Sequence, residues 1–271
     1  MVPVSDTLCR LYGYRDRHSE RPTVGRAAPR MNKALSCLVI LIAAAQHGTA
    51  EKLHYTVSFW RIPCVDVAMV LEETQEEKMK LEFSAKTRPV FDYFFSVDNS
   101  YTTWYDEKSF EMHKYSVKVN QSNANFNYLL KWSDETKRYS TSDISYSRPE
   151  KSHNILTLLM RVRNLPWEEL DTIWWSVEHE GAPYRGRYLW VDSSDVQVGN
   201  DTILADHFRL DLQEAEGNEV EVSDVKDIFS WGIVLDGAVR QIWVERDGAR
   251  RILRAEVNVR RITLTAELNS E

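Results

Sequence analysis

The chain has 271 residues, 28% of them charged and 11% aromatic. Of its 34 basic and 41 acidic residues, 7 and 3 lie in residues 1–50, so residues 51–271 carry 27 against 38, a net charge of −11. So acidic a body lacks the Lys/Arg surplus that holds nucleic-acid phosphates, and it is expected to be equally poor as a peripheral binder of anionic lipid surfaces.

Residues 1–30 are Arg-rich and aperiodic and read as a mis-annotated or disordered N-terminal extension ahead of a second start, Met31. From Met31 the order is that of a secretory signal peptide: Lys33, an apolar run Ala34–Ala45, then Gly48 and Ala50 as small residues before cleavage between Ala50 and Glu51. Twelve residues are too few to span a bilayer, which takes about 20. Of three cysteines, Cys9 and Cys37 precede the cut, and Cys64 is left without an intramolecular partner, as a small buried hydrophobe.

The remainder, residues 51–271, reads as a single antiparallel β domain. Leu53, Tyr55, Val57 and Phe59 alternate, then Val65, Val67 and Met69 after a turn at Arg61-Ile62-Pro63, which is a hairpin. A strand follows near MKLEFSAKT. VFDYFFSVDNSYTTWY (90–105) and EMHKYSVKV form aromatic strands around a polar tip at Asp106–Ser109, and NYLLKW continues the meander. Lys131–Ser147 is polar and reads as a loop or an edge. SHNILTLLMRVRNLP is the helix: Ile155, Leu158, Leu159 and Val162 keep the i, i+3, i+4, i+7 spacing, with Ser152 or Asn154 as cap and Pro166 as stop. Strands return in DTIWWSVEH, YRGRYLWV, TILADHFRLDLQ, FSWGIVL, AVRQIWVERDGARRILRAEVNV and RITLTAEL, with a hairpin turn at Arg246–Ala249 and a break at Arg260-Arg261. The expected fold is mainly β: a large curved antiparallel sheet or half barrel of about ten or more strands, crossed by one helix near 153–163.

Catalytic and metal motifs are missing from the sequence. His54, His113, His153, His179 and His207 lack metal-ligand spacing, and in Glu178-His179-Glu180 only the two glutamates would share a strand face. Asp206-His207 reads as a surface pair. No catalytic residue, metal or cofactor is therefore expected. The candidate contacts for a ligand or partner are Tyr101, Trp104 and Tyr105 beside Asp98 and Asp106, then Arg161 on the helix, and Trp174, Trp175 and Trp190. Each has an ordinary reading: cross-strand packing for the aromatics, and for Arg161 and Arg163 a cation near a helix C-terminus.

In LHYTVSFWRIPCVDVAMVLEE, FFSVDNSYTTWYDEKSF, SHNILTLLMRVRNLP, VGNDTILADHFRLDLQ and AVRQIWVERDGARRILRAEV the chain resembles a bacterial exported family, domain of unknown function 3108. The likeness covers nearly all of residues 52–268 and departs at Cys64-Val65, where the family favours glycine. It implies an exported curved-sheet domain and no known reaction. In shape alone, a curled sheet with a helix over its concave side is similar to periplasmic lipoprotein carriers.

The expected role is a non-enzymatic protein of the periplasm or envelope that holds a hydrophobic molecule, a lipid or acyl chain, against aromatic walls. The alternatives are an interaction module with an envelope protein partner and, less favoured, an envelope hydrolase. Nucleic acid and a transmembrane segment in the mature protein are not expected.

Overall fold

The structure, a computed structural model, describes residues 50–74 and 78–270. The N-terminal extension and the signal segment lie outside the described residues up to the expected cut; Glu51, just beyond it, opens the first strand.

Fourteen strands form one antiparallel sheet in two meanders. The first comprises β1 (Glu51–Phe59), β2 (Ile62–Thr74), β3 (Lys78–Thr87), β4 (Asp98–Asp106), β5 (Met112–Gln121), β6 (Ala124–Ser133), β7 (Arg138–Ser140) and β8 (Ser145–Ser147). The second comprises β9 (Trp174–His179), β10 (Ala182–Val198), β11 (Asp201–Glu214), β12 (Val239–Glu245), β13 (Ile252–Val259) and β14 (Ile262–Leu268). They join through their first and last strands: β1 pairs with β14, Tyr55 opposite Leu268 and Phe59 opposite Leu264. The edges are β8 and β9. Lys131–Ser147 thus builds one edge, in agreement with its weak pattern.

Two segments depart from the sequence reading. Pro89–Asp92 is a helical turn, α1, and β4 starts only at Asp98, so VFDYFF is a loop that leaves Tyr93 and Phe94 exposed. FSWGIVL is not a strand; Ile228–Val234 is a helix, α4, whose N-cap Asp227 accepts from the Phe229 amide. The interior helix α2 (Ile155–Asn164) and the one-turn α3 (Trp167–Leu170) complete the set.

The sheet curls because its ladders slip at Val57/Ser58, Trp104/Tyr105, Trp190/Asp192 and Trp243/Val244. Each slip adds local right-handed twist. At the first, Cys64 and Val65 both turn inward, and the Cys64 Sγ donates to the Val57 carbonyl at 3.4 Å. Helix α2 plugs one end of the curl. Asn154 caps it, accepting from the Thr157 amide while the Thr157 hydroxyl takes the Asn154 amide proton. Leu156 and Met160 pack into the larger core, which the first meander shares with Val196, Val198, Ala205, Leu253 and Leu268 of the second, and Leu158 and Val162 into a core of the second meander alone. Gly186 on β10 makes room: a Cβ there would lie 3.2 Å from a Leu158 methyl. At the C-terminus of α2, Arg163 donates to both Glu51 oxygens, at 2.7 and 2.6 Å, tying the helix to the start of β1.

Edges β8 and β9 share no ladder. The chain after β8 spans the gap: the Met112 amide donates to the Ser152 carbonyl, and His153 exchanges backbone bonds with Ser176 and Glu178. Buried beside it, Arg148 donates to Glu178 at 2.8 Å and to the Gly181 carbonyl at 2.7 Å, while Glu178 accepts from Tyr146. Burial pushes the Glu178 carboxyl above its ordinary range, against the pull of Arg148. Removing one member strands a buried charge and its polar partners, at about 3–5 kcal/mol. Arg148→Met is therefore expected to lower the urea midpoint sharply, and Arg148→Met with Glu178→Leu to recover part of that loss. Equal midpoints for Arg148→Met and the parent would refute the staple.

Candidate functional site

Opposite the α2 plug, the concave face is left open as a cavity of about 560 Å³. Its walls come from alternate positions of the central strands: Tyr55, Val57 and Phe59 of β1, Val65, Val67 and Met69 of β2, Ala255 and Val257 of β13, Leu264 and Ala266 of β14. Ala255 and Ala266 are cross-strand partners, and this pair of small side chains leaves space where larger ones would meet. Ile155 and Leu159 of α2 form the inner end; Phe91, Phe95, Phe229 and Ile233 of the α1 and α4 segments form the roof.

Helix α4 is a strap held at both ends. At its N-cap, buried Asp227 accepts from Tyr101 at 2.6 Å, Gln121 at 2.5 Å and Asn99 at 3.3 Å, which fastens it to β4 and β5. At its other end the buried Arg240 guanidinium on β12 donates to the Ile233, Leu235 and Ala238 carbonyls, taking up acceptors that a helix end leaves unpaired. Burial lowers the Arg240 pKa, opposed by Asp211.

Polar groups on the cavity wall are few and mostly engaged. Arg240 holds the strap, Gln241 meets His207 at 3.0 Å, Glu256 pairs with Arg254, and Cys64 bonds within its bulge. Tyr55 differs: its buried hydroxyl has no hydrogen-bond partner among the described residues. Burial holds it in the neutral O–H form, above its ordinary pKa. The wall is thus an apolar slot, and the Tyr55 hydroxyl is closed off from it. Its chemistry matches that of an aliphatic chain.

None of the seven candidate residues lines this cavity. Tyr101 is buried and anchors the strap through Asp227. Trp104 lies under the Lys114 ammonium on the other face, Tyr105 stacks on Phe110 in the core, and Trp174 lies under Arg185 and Arg187. Trp190 leans on Trp167, half exposed. Trp175 and Arg161 do come together, the guanidinium 4.5 Å over the indole. Arg161 Nη1 donates to the Ser109 carbonyl at 2.6 Å and lies 3.1 Å from His153 Nε2, while His153 Nδ1 faces the Ser176 carbonyl. That set is satisfied by His153 neutral with its proton on Nδ1. Burial, with Arg161 in support, holds His153 down to about 4. The group is a packed seal.

Two further expectations change. Asp206 and His207 are no pair, since neighbours on a strand face opposite sides: Asp206 takes Arg246 at 2.7 Å, and His207 meets Asp192 and stacks 4.3 Å from Trp243. Glu178 and Glu180 do not converge either, because Glu180 lies in the turn after β9, at positive φ, and accepts from Ser230 of the strap.

No family model matches the chain, and no curated protein matches it. Among solved structures, a beta-barrel-like protein of domain of unknown function DUF1849 from Brucella abortus is similar, with 7% identity, a TM-score of 0.49, and coverage of 81% of this chain and 95% of that one. The hypothetical lipoprotein YmcC from Escherichia coli also aligns, with 7% identity, a TM-score of 0.33, and coverage of 90% and 98%. Likeness at that identity concerns shape alone. No helix among the described residues is long and apolar enough to cross a membrane.

Glu180 gives the strap a pH dependence. Burial, then the Asp227 charge, raises its pKa from 4.5 to about 7. A raised acid binds its proton more tightly folded than unfolded, so its contribution favours folding below 4.5 and is lost as pH rises through about 7. Glu180→Gln should therefore raise the melting temperature by a few degrees at about pH 8 and leave it unchanged near pH 5. An equal shift at both pH values would refute the raised acid.

Proposed function

We propose that the protein is an exported, non-enzymatic binding protein of the cell envelope that carries a hydrophobic ligand, an acyl chain or lipid, in the cavity of its curled sheet. The carrying observation is that cavity: about 560 Å³, within the range of ~300–1,000 Å³ usual for ligand sites, walled by aliphatic and aromatic side chains. Water in such a slot leaves apolar wall hydrated at about 25 cal/mol per Å² forgone, which an acyl chain recovers. The engagement of Arg240, Gln241 and Glu256 in structural contacts supports binding over hydrolysis. The signal-like segment and the motif resemblance to domain of unknown function 3108 support export to the periplasm or envelope.

The test is native mass spectrometry of the protein recovered from its own host's envelope, with organic extraction of the same sample. An extra mass that dissociates as a lipid is expected. Ala266→Trp, which fills the slot, should abolish it while the far-ultraviolet circular dichroism is kept. A bare protein mass from the parent would overturn the reading.

A further inference from the structure

The mouth of the cavity carries an unusual surface. Register places two hairpin tips side by side there, Trp60-Arg61 between β1 and β2 and Arg260-Arg261 between β13 and β14, because Phe59 pairs with both Ile62 and Leu264. The α1 loop and α4 complete the same rim: the Arg88 amide bonds the Cys64 carbonyl, and β12, which follows α4, starts opposite Asn258. The rim exposes large apolar side chains, with Tyr93 at 91%, Phe94 at 78% and Trp60 at 64% of full exposure, and Trp231 of α4 half exposed. Such side chains normally mark a contact with an apolar phase.

The tips are also costly in backbone terms. Trp60, Arg61, Arg260 and Arg261 all have positive φ, 48°, 67°, 46° and 77°. Two-residue turns of that hand take Asn and Gly without strain. Tryptophan and three arginines hold those positions instead. The three arginines are exposed and form no ion pair among the described residues. Of the acids at this end, Asp66 is neutralised by Arg88 and Asp92 accepts from Ser96, while Glu180, Asp236 and the acidic segment before α4 (Glu214, Glu216, Glu219, Glu221 and Asp224) lie on the β9–β12 side of the mouth; none stands on the two tips. Three arginines without an ion pair among the described residues thus stand together on the two tips of a body whose residues 51–271 carry −11. That local asymmetry turns the two tips, and the aromatics beside them, toward an anionic surface and the acidic remainder away from it.

We propose that this rim docks on an anionic phospholipid bilayer, Trp60, Tyr93, Phe94 and Trp231 entering the headgroup zone while Arg61, Arg260 and Arg261 pair with lipid phosphates. Tryptophan and tyrosine favour that zone, and arginine matches phosphate geometry. Because the rim encircles the cavity mouth, a docked protein would present the slot to the acyl layer. Net charge conceals this, since it averages the rim with the acidic body.

The experiment is vesicle flotation of the secreted protein with phosphatidylcholine alone or mixed with phosphatidylglycerol, reading tryptophan emission in parallel. Binding to the anionic vesicles with a blue shift, suppressed by high salt, is expected. Replacing Arg61, Arg260 and Arg261 by Ser together should lower partitioning on the order of a hundredfold; Trp60→Ser with Trp231→Ser should abolish the blue shift. All these side chains are exposed, and unchanged circular dichroism checks the fold. No binding, equal binding to neutral vesicles, or binding indifferent to the arginine replacements would overturn the proposal. The readout is surface binding whatever the cavity holds, so an absent ligand mass would leave this result standing.

Discussion

A curled sheet of fourteen strands has more concave apolar face than one ten-residue helix can cover. Helix α2 must serve both meanders, and it does so by turning Leu156 and Met160 to the larger, shared core and Leu158 and Val162 to that of the second meander. Its position is then set by its ends: the Asn154 cap near β4 and β5, and Arg163 against Glu51. What α2 leaves uncovered over β1, β2, β13 and β14 has to be roofed by something or stay wet. The short α1 and α4 segments roof it in part, and the remainder is the cavity.

The same constraint explains where buried polar groups stand. Arg148 with Glu178 closes the seam between unpaired edges; Asp227 and Arg240 hold the two ends of the α4 strap; His153 and Arg161 seal the plugged end. None of these groups sits on the middle of the cavity wall. Charges appear where backbone or edges would otherwise lack partners, and the wall between is left to Val, Ala, Met and Phe. The roof thus rests on a few hydrogen bonds, one of them from Ser230 to Glu180, whose carboxyl burial raises to about 7.

Strand parity was readable along the chain, since period-two alternation survives burial on one face. Leu53, Tyr55, Val57 and Phe59 share the face that parity assigns, and Ala255, Val257, Leu264 and Ala266 line one wall across the break at Arg260-Arg261. Helix 153–163 was readable from its 3.6 period and cap. The candidate site was not, because large aromatics drew attention and here most of them fill core or lie under cations: Tyr105 on Phe110, Trp104 under Lys114. A cavity is made by small side chains facing each other across strands, and no local pattern marks an alanine as lining a void. Misreading VFDYFF and FSWGIVL as strands had one cause: a run of apolar residues shows no period that tells a roof from a sheet. Pro89 and Asp227, a first-turn proline and an N-cap, were the signals that could have told them apart.

By itself, then, the sequence determined the class of fold, the inward face of each central strand and the helix that crosses it, because those follow from side-chain periodicity within ten residues or so. Only tertiary structure decided that β1 meets β14, that Asp227 reaches Tyr101 and Gln121 more than a hundred residues away, and that four strained tip residues share a rim with Tyr93 and Phe94. These are pairings between distant parts of the chain, set by how the whole sheet curls, and no local preference encodes them.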